Sequence, residues 1–215
     1  MQLLISPHND DETLFAAFTI MKERPLVCIV FDSYVQVARG NRRADAITRR
    51  METMVALQYM EIIAAPIFVG LRDDQPDYEY LRTWLKERRD GPIEVSGGFV
   101  GYNQIDGIIC PAWEQDGHEQ HNGVARVCRD LWPSEQRTEY LTYTRTRGRS
   151  RTVLNEHGNE RAAQEVIPTP DMIARKHRAL ACYKSQMEVE NCRDWFLGDL
   201  REYLALPPAQ SGAKP

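Results

Sequence analysis

A chain of 215 residues, 42% of them apolar and 27% charged, has room for one domain with a substantial hydrophobic core. Lys and Arg number 27 against 31 for Asp and Glu, and a formal charge of -4 supplies no global attraction for nucleic acid or an anionic membrane. The longest apolar runs, such as residues 26–31, fall far short of the ~20 residues a bilayer crossing needs, and residues 2–5 lead straight into polar chemistry without the pattern of a secretory signal.

The sequence predicts a first strand over residues 2–6 and a helix over 11–22. A strand over 26–34 follows, then a long helix over 42–63 in which Met51, Met54, Val55, Gln58, Tyr59 and Ile62 recur at spacings of three and four. Such a stripe is expected to pack into the core. Next come a strand over 66–71 and a helix over 78–89, and then residues 91–104, which hold Gly97, Gly98 and Gly101 without clear periodicity. A strand over 107–112 leads to a helix over 120–131, which Pro133 stops, and a further strand is expected over 139–144. Residues 145–164 are again irregular, as functional loops often are. Helices are expected over 171–183 and 192–206, and the small, polar, proline-rich residues 207–215 as a disordered tail. Alternation of strands and helices implies right-handed crossovers. The expected fold is one α/β domain over residues 1–206, a three-layer Rossmann-like arrangement with a mainly parallel sheet flanked by helices.

The five cysteines, at 28, 110, 128, 182 and 192, are odd in number and scattered, with no C-x-x-C pair. That usage fits reduced packing cysteines in a cytoplasmic protein.

In an open parallel sheet, ligands sit beyond the carboxyl ends of the strands. The first strand runs into Pro7-His8-Asn9-Asp10-Asp11-Glu12, and the fourth into Glu114-Gln115-Asp116-Gly117-His118-Glu119-Gln120-His121. The fold would bring both segments to one sheet edge. Imidazole and carboxylate are the usual ligands of a hydrolytic zinc ion, three of them leaving a position open for water. A carboxylate that does not ligate can take that water's proton. Adjacent Asp10 and Asp11 cannot both point at one spot, so a division between metal and water is natural. His118 and His121 share a helical face, although an H-x-x-H alone is weak and this one is not the H-E-x-x-H pattern. Taken singly, His8 reads as a strand-end residue and either aspartate as a helix cap. The conjunction carries the reading.

These residues resemble the PIG-L/LmbE-like N-deacetylases. Residues Ser6 to Leu14 look like the family's A-H-P-D-D-E opening motif, and His118-Glu119-Gln120-His121 looks like its H-P-D-H. Arg49-x-x-Glu52 matches an R-x-x-E between them, and Lys184-Ser185-Gln186 resembles a K/R-S-Q near the family's C-terminus. The resemblance implies a hydrolase using Zn²⁺ or another divalent transition metal to remove acetyl from an amino group. Its partner would be a small N-acetylated molecule, commonly a derivative of N-acetylglucosamine. By position, His8, Asp11 and His121 would hold the metal and Asp10 would be the general base. His118 would stabilise the oxyanion and protonate the departing amine, and Arg49 would orient carboxylates or meet polar substrate groups. The chain departs from the pattern at Asn9, at Glu119-Gln120, and at Phe15 and Phe18, which stand where glycines are common. An amidase acting on a non-sugar amide, or a non-catalytic metal-binding protein, would share the site.

Arg145, Arg147, Arg149 and Arg151 alternate in a run that could meet an anionic substrate or nucleic acid, though a solvated connection is the expected reading. His157 and His177 lack metal-type neighbours, and no P-loop or G-x-S-x-G elbow is present. Neither a membrane nor a nucleic-acid partner is indicated, and a homo-oligomer stays open.

Overall fold

Strand β1 (Gln2–His8) turns Leu3 and Ile5 to one side and Leu4 to the other, and all three are buried. A strand covered on both faces belongs at the centre of a helix-flanked sheet. The structure is a computed structural model that describes residues 1–33, 46–91, 93–95, 98–100, 105–115, 117–142, 153–154, 158–187 and 200–206. Its order begins β1, α1 (Asp11–Phe15), α2 (Ala17–Glu23), β2 (Leu26–Ser33), α3 (Ala46–Tyr59), β3 (Ile67–Arg72) and α4 (Tyr78–Asp90). A hairpin of β4 (Ile93–Val95) and β5 (Gly98–Val100) follows, then β6 (Gly107–Pro111), α5 (Glu119–Leu131) and β7 (Arg137–Tyr140). The rest comprises β8 (Val153–Leu154), β9 (Glu160–Arg161), β10 (Ala163–Glu165), α6 (Pro170–Leu180), α7 (Lys184–Met187) and β11 (Tyr203–Ala205).

Seven strands form the main sheet in the order β10-β11-β7-β6-β1-β2-β3. The five from β7 to β3 are parallel, and β11 is antiparallel to both β7 and β10. One face packs Leu3, Ile5 and Cys28 against Leu81, Trp84 and Leu85 of α4 and Val124 and Val127 of α5. The other packs Leu4, Val27 and Ile29 against α1, α2, α3 and α6 through Phe15, Ile20, Leu57 and Leu180. This is the three-layer, mainly parallel α/β fold expected from the sequence.

Four local expectations change. The helix over 11–22 is broken at Ala16 into α1 and α2, because outside groups take both ends of one turn's hydrogen bond. Lys176 Nζ donates to the Leu14 carbonyl at 2.7 Å, and Phe18 N–H donates to the Glu202 carboxylate at 2.9–3.0 Å. Those are the two groups that would pair in a continuous helix. In α3 the Met stripe faces outward, with Met51 53% and Tyr59 44% exposed, while Arg49, Thr53, Ala56 and Leu57 face inward; Ile62 of the stripe, just beyond the helix, does join the core. Thr53 and Arg49 on the inward face bond Asn9 and Asp10 of the turn after β1, which fixes the face that points in. The helix expected over 192–206 gives way to strand β11 at its described end, where buried Tyr203 and Ala205 alternate with Leu204 in the sheet. Finally, the irregular 91–104 contains the β4–β5 hairpin and 145–164 the β8–β9 pair.

Residues 42–45 of the expected long helix, the arginine run, His157, Cys192 and the tail lie outside the described residues. Cys28, Cys110 and Cys128 are buried and Cys182 partly so, all unpaired by disulfides, and His177 is exposed. No described helix is long and apolar enough to cross a membrane.

Candidate metal centre

The connection from β1 runs to β2 on one side, while β6 pairs with the other side of β1. Strand order therefore reverses between β1 and β6, and the crevice at that point is where sheets of this kind bind ligands. His8 ends β1, Asp11 opens α1, and His121 stands in the first turn of α5, which follows β6. Two segments over a hundred positions apart thus meet at the switch point.

His8 Nδ1, Asp11 Oδ2 and His121 Nε2 form a triangle. The separations are 3.0 Å from Asp11 to His8, 3.0 Å from Asp11 to His121 and 3.1 Å between the histidines. Tetrahedral ligands about 2.0–2.1 Å from a zinc ion would stand roughly 3.3 Å apart, so the donor set and its spacing fit such an ion. Asp11 and His121 are buried, and the His8 side chain is 20% exposed on the open side. His118 is exposed at the N-cap of α5, its ring edge-on to His8 with centroids 5.4 Å apart. Ring nitrogens of His8, His118 and His121 also lie within 4.8 Å of one another, so a three-histidine set overlaps the set containing Asp11. Burial works against charge on Asp11, yet His121 and His8 hold its carboxyl well below the usual range. Burial also works against protonation of His8, but Asp11 outweighs it and raises the imidazole. Either a proton or a metal ion can supply the positive charge this triangle demands.

Asp10 sits beside the triangle on a strained backbone, with φ at +136°, a region side-chain-bearing residues rarely adopt. The strain is held from both sides. Asp10 N–H donates to Glu12 Oε2 at 2.9 Å, and Arg49 of α3 reaches the Asp10 carboxylate at 3.3 Å while also donating to the Asn9 carbonyl. Burial pushes the Asp10 carboxyl up to about 7, with Asp11 and Glu12 adding to the rise and Arg49 opposing it. Glu12 is itself fixed, accepting from Tyr183 Oη and from Thr13 Oγ1 at 3.1 Å, and burial raises its pKa.

The departures from the motif pattern have visible roles. Asn9 is buried and its Oδ1 accepts from Thr53 of α3 at 3.2 Å, anchoring the turn that carries Asp10. Phe15 and Phe18 fill the core around the helix break. Glu52, three residues after Arg49, accepts from Ser185 N–H at 2.8 Å and Ser185 Oγ at 2.6 Å, so the R-x-x-E and K-S-Q segments meet. Two further participants, Gln120 and Asp73, were not among the site residues expected from the sequence. Gln120 Oε1 lies 2.7 Å from His8 Nε2, and Gln120 Nε2 donates to the Asp73 carbonyl just beyond β3.

Fold and site together define an α/β protein with a His/Asp cluster suited to a cation at its topological switch point. The chain is similar in fold to the N,N'-diacetylchitobiose deacetylase of Pyrococcus horikoshii, with a TM-score of 0.62 at 16% identity over 96% of this chain and 83% of that one. It is likewise similar to a deacetylase of the teicoplanin biosynthetic pathway, TM-score 0.64 at 16% identity, covering 95% and 96% of the two chains. A third similar structure is the 4-carboxy-2-hydroxymuconate hydratase of Pseudomonas putida, TM-score 0.55 at 12% identity over 100% of this chain and 99% of that one. No protein-family model and no curated protein matches the chain. The fold resemblance first drawn from the motifs therefore holds, and at these identities fold is what the likeness carries.

Proposed function

We propose that this chain is a metal-dependent hydrolase that removes an acetyl group from the nitrogen of a small molecule, an amino-sugar derivative in the first instance. The observation that carries the reading is the convergence of His8, Asp11 and His121 at the switch point with a separate carboxylate, Asp10, held beside them. His8 Nδ1, Asp11 Oδ2 and His121 Nε2 would hold the cation, with zinc the expected ion. A bound divalent ion supplies a water of lowered pKa and polarises the acyl oxygen. Asp10 would accept the proton of the attacking water, and its carboxyl near 7 suits a base working close to neutral pH. A cation beside Asp11 would draw that value down. His118, exposed at the mouth of the site, would donate a hydrogen bond to the developing oxyanion and a proton to the amine as the C–N bond breaks. Acetate and a free amine would leave.

Similarity in fold to two deacetylases supports the reading, and similarity to a hydratase defines its rival, in which the activated water would add to a carbon–carbon double bond. Product analysis separates them. Incubating the zinc-loaded protein with a panel of N-acetyl sugars should release acetate and amine in equal amounts. Asp10→Asn should retain zinc yet lose about 10²-fold or more in turnover. Full activity in that variant would refute the assigned base, and hydration without acetate release would replace the reaction.

A further inference from the structure

Gln120 stands where the family pattern has an aspartate, and its carboxamide makes two contacts that a carboxylate cannot reproduce together. The Asp73 carbonyl can only accept a hydrogen bond, so it fixes which end of the Gln120 amide is the NH₂. The other end, Oε1, then faces His8 Nε2 at 2.7 Å. An acceptor that close to a ring nitrogen requires the proton to sit on that nitrogen. In the neutral ring His8 Nδ1 is then left with a lone pair toward Asp11 Oδ2 and His121 Nε2, each about 3 Å away. The Asp11 Oδ2 acceptor then faces that lone pair at 3.0 Å, an arrangement that a cation between them stabilises.

We propose that Gln120 is a positioning residue that sets the His8 tautomer, a backbone carbonyl beyond β3 orienting the amide and the amide committing His8 Nδ1 to the cation. The inference rests on the metal-site reading above. It makes the donor set a property of four segments, the ends of β1 and β3 together with α1 and α5, rather than of the two motifs alone. Partners that orient a ligating imidazole in this way raise metal affinity by about 10- to 100-fold in other sites.

The test uses the full chain, Zn²⁺ as the only added ligand, and the variants Gln120→Leu and Gln120→Glu. Two quantities are measured: zinc affinity by competition with a chromophoric chelator, and the His8 ring-nitrogen shifts by long-range ¹H–¹⁵N spectroscopy. Shifts are recorded with zinc and, metal-free, at a pH alkaline enough to leave the ring neutral. Wild type should show the Nε2–H tautomer in both states. Gln120→Leu should mix the tautomers and bind zinc about 10- to 100-fold more weakly. Gln120→Glu keeps an acceptor facing His8 but loses the donor to the Asp73 carbonyl, so it should restore the tautomer and only part of the affinity, a rescue that mere packing would not give. An Nδ1–H tautomer in metal-free wild type, or unchanged zinc affinity in Gln120→Leu, overturns the proposal. If wild type binds no zinc, the metal reading fails, while the metal-free tautomer still decides the role of Gln120.

Discussion

Arg49 is the residue on which the geometry of Asp10 turns. Its guanidinium reaches the Asn9 carbonyl and the Asp10 carboxylate together, clamping a turn whose backbone would otherwise relax from φ of +136°. Arg49→Ala should leave zinc binding near wild type and lower kcat about 10²-fold, the scale of a misplaced reacting group. Arg49→Lys should recover little, because a single ammonium cannot span two acceptors as a planar fork does. Measured kcat and metal content check this, and a variant that loses its zinc instead would show Arg49 to be part of the ligand scaffold. At this scale the sequence was legible where residue type carries the chemistry. His8, Asp11 and His121 announce themselves by type and order, and the fold brings them within 3.1 Å. Gln120 read only as a lost carboxylate, and Asp73 contributes a backbone carbonyl, which no side-chain pattern reveals.

The break between α1 and α2 shows how one pair of charges remodels an element. Lys176 and Glu202 are each 1% exposed and 2.7 Å apart, and between them they hold the Leu14 carbonyl and the Phe18 N–H. Burial pushes the Glu202 carboxyl up, opposed by Lys176. Removing Lys176 would strand a buried carboxyl, so Lys176→Met should cost about 3–5 kcal/mol. The double variant Lys176→Met/Glu202→Leu should cost less than either single change, since Phe18 N–H can then bond Leu14 as in an unbroken helix. Urea unfolding of the three variants reads this directly, and additive losses would sink it. Local spacing could not foretell the break, because both intruding side chains come from more than 150 residues downstream. The inverted α3 has a similar cause. Periodicity gives the amphipathic period, but Met51 and Tyr59 lost the core to the face of Arg49, Thr53, Ala56 and Leu57, where Arg49 and Thr53 bond the turn after β1. Gly123 of α5 was equally silent, although a Cβ there would run into the Tyr78 ring and hydroxyl.

At the scale of the whole molecule, the parallel strands β3-β2-β1-β6-β7 were readable from strand–helix alternation, and the sheet's edge was not. There β11 returns antiparallel beside β7, a pairing made after the helical layer is complete and without a local signature. Glu139 of β7 secures that edge. Its carboxylate, 2% exposed, meets Arg129 of α5 at 3.0 Å, Arg137 of β7 at 3.2 Å and Arg161 of β9, whose guanidinium also donates to Leu206 and Ala205 carbonyls. Burial opposes the charge, but the three guanidiniums outweigh it, and the carboxyl is held below its ordinary value of 4.5. A native pKa below the unfolded one means that the unfolded chain binds more protons as pH falls. The stabilisation is therefore fully present above the ordinary glutamate range and is lost as pH drops through the lowered native value. Glu139→Gln removes the charge three partly buried arginines share, and should cost about 3–5 kcal/mol at pH 7. Urea unfolding of both proteins from pH 7 to pH 3 should show that gap closing as wild type protonates. A gap that stays constant across the range would mean that hydrogen-bond geometry, and not the carboxylate's charge, fastens this edge to the domain.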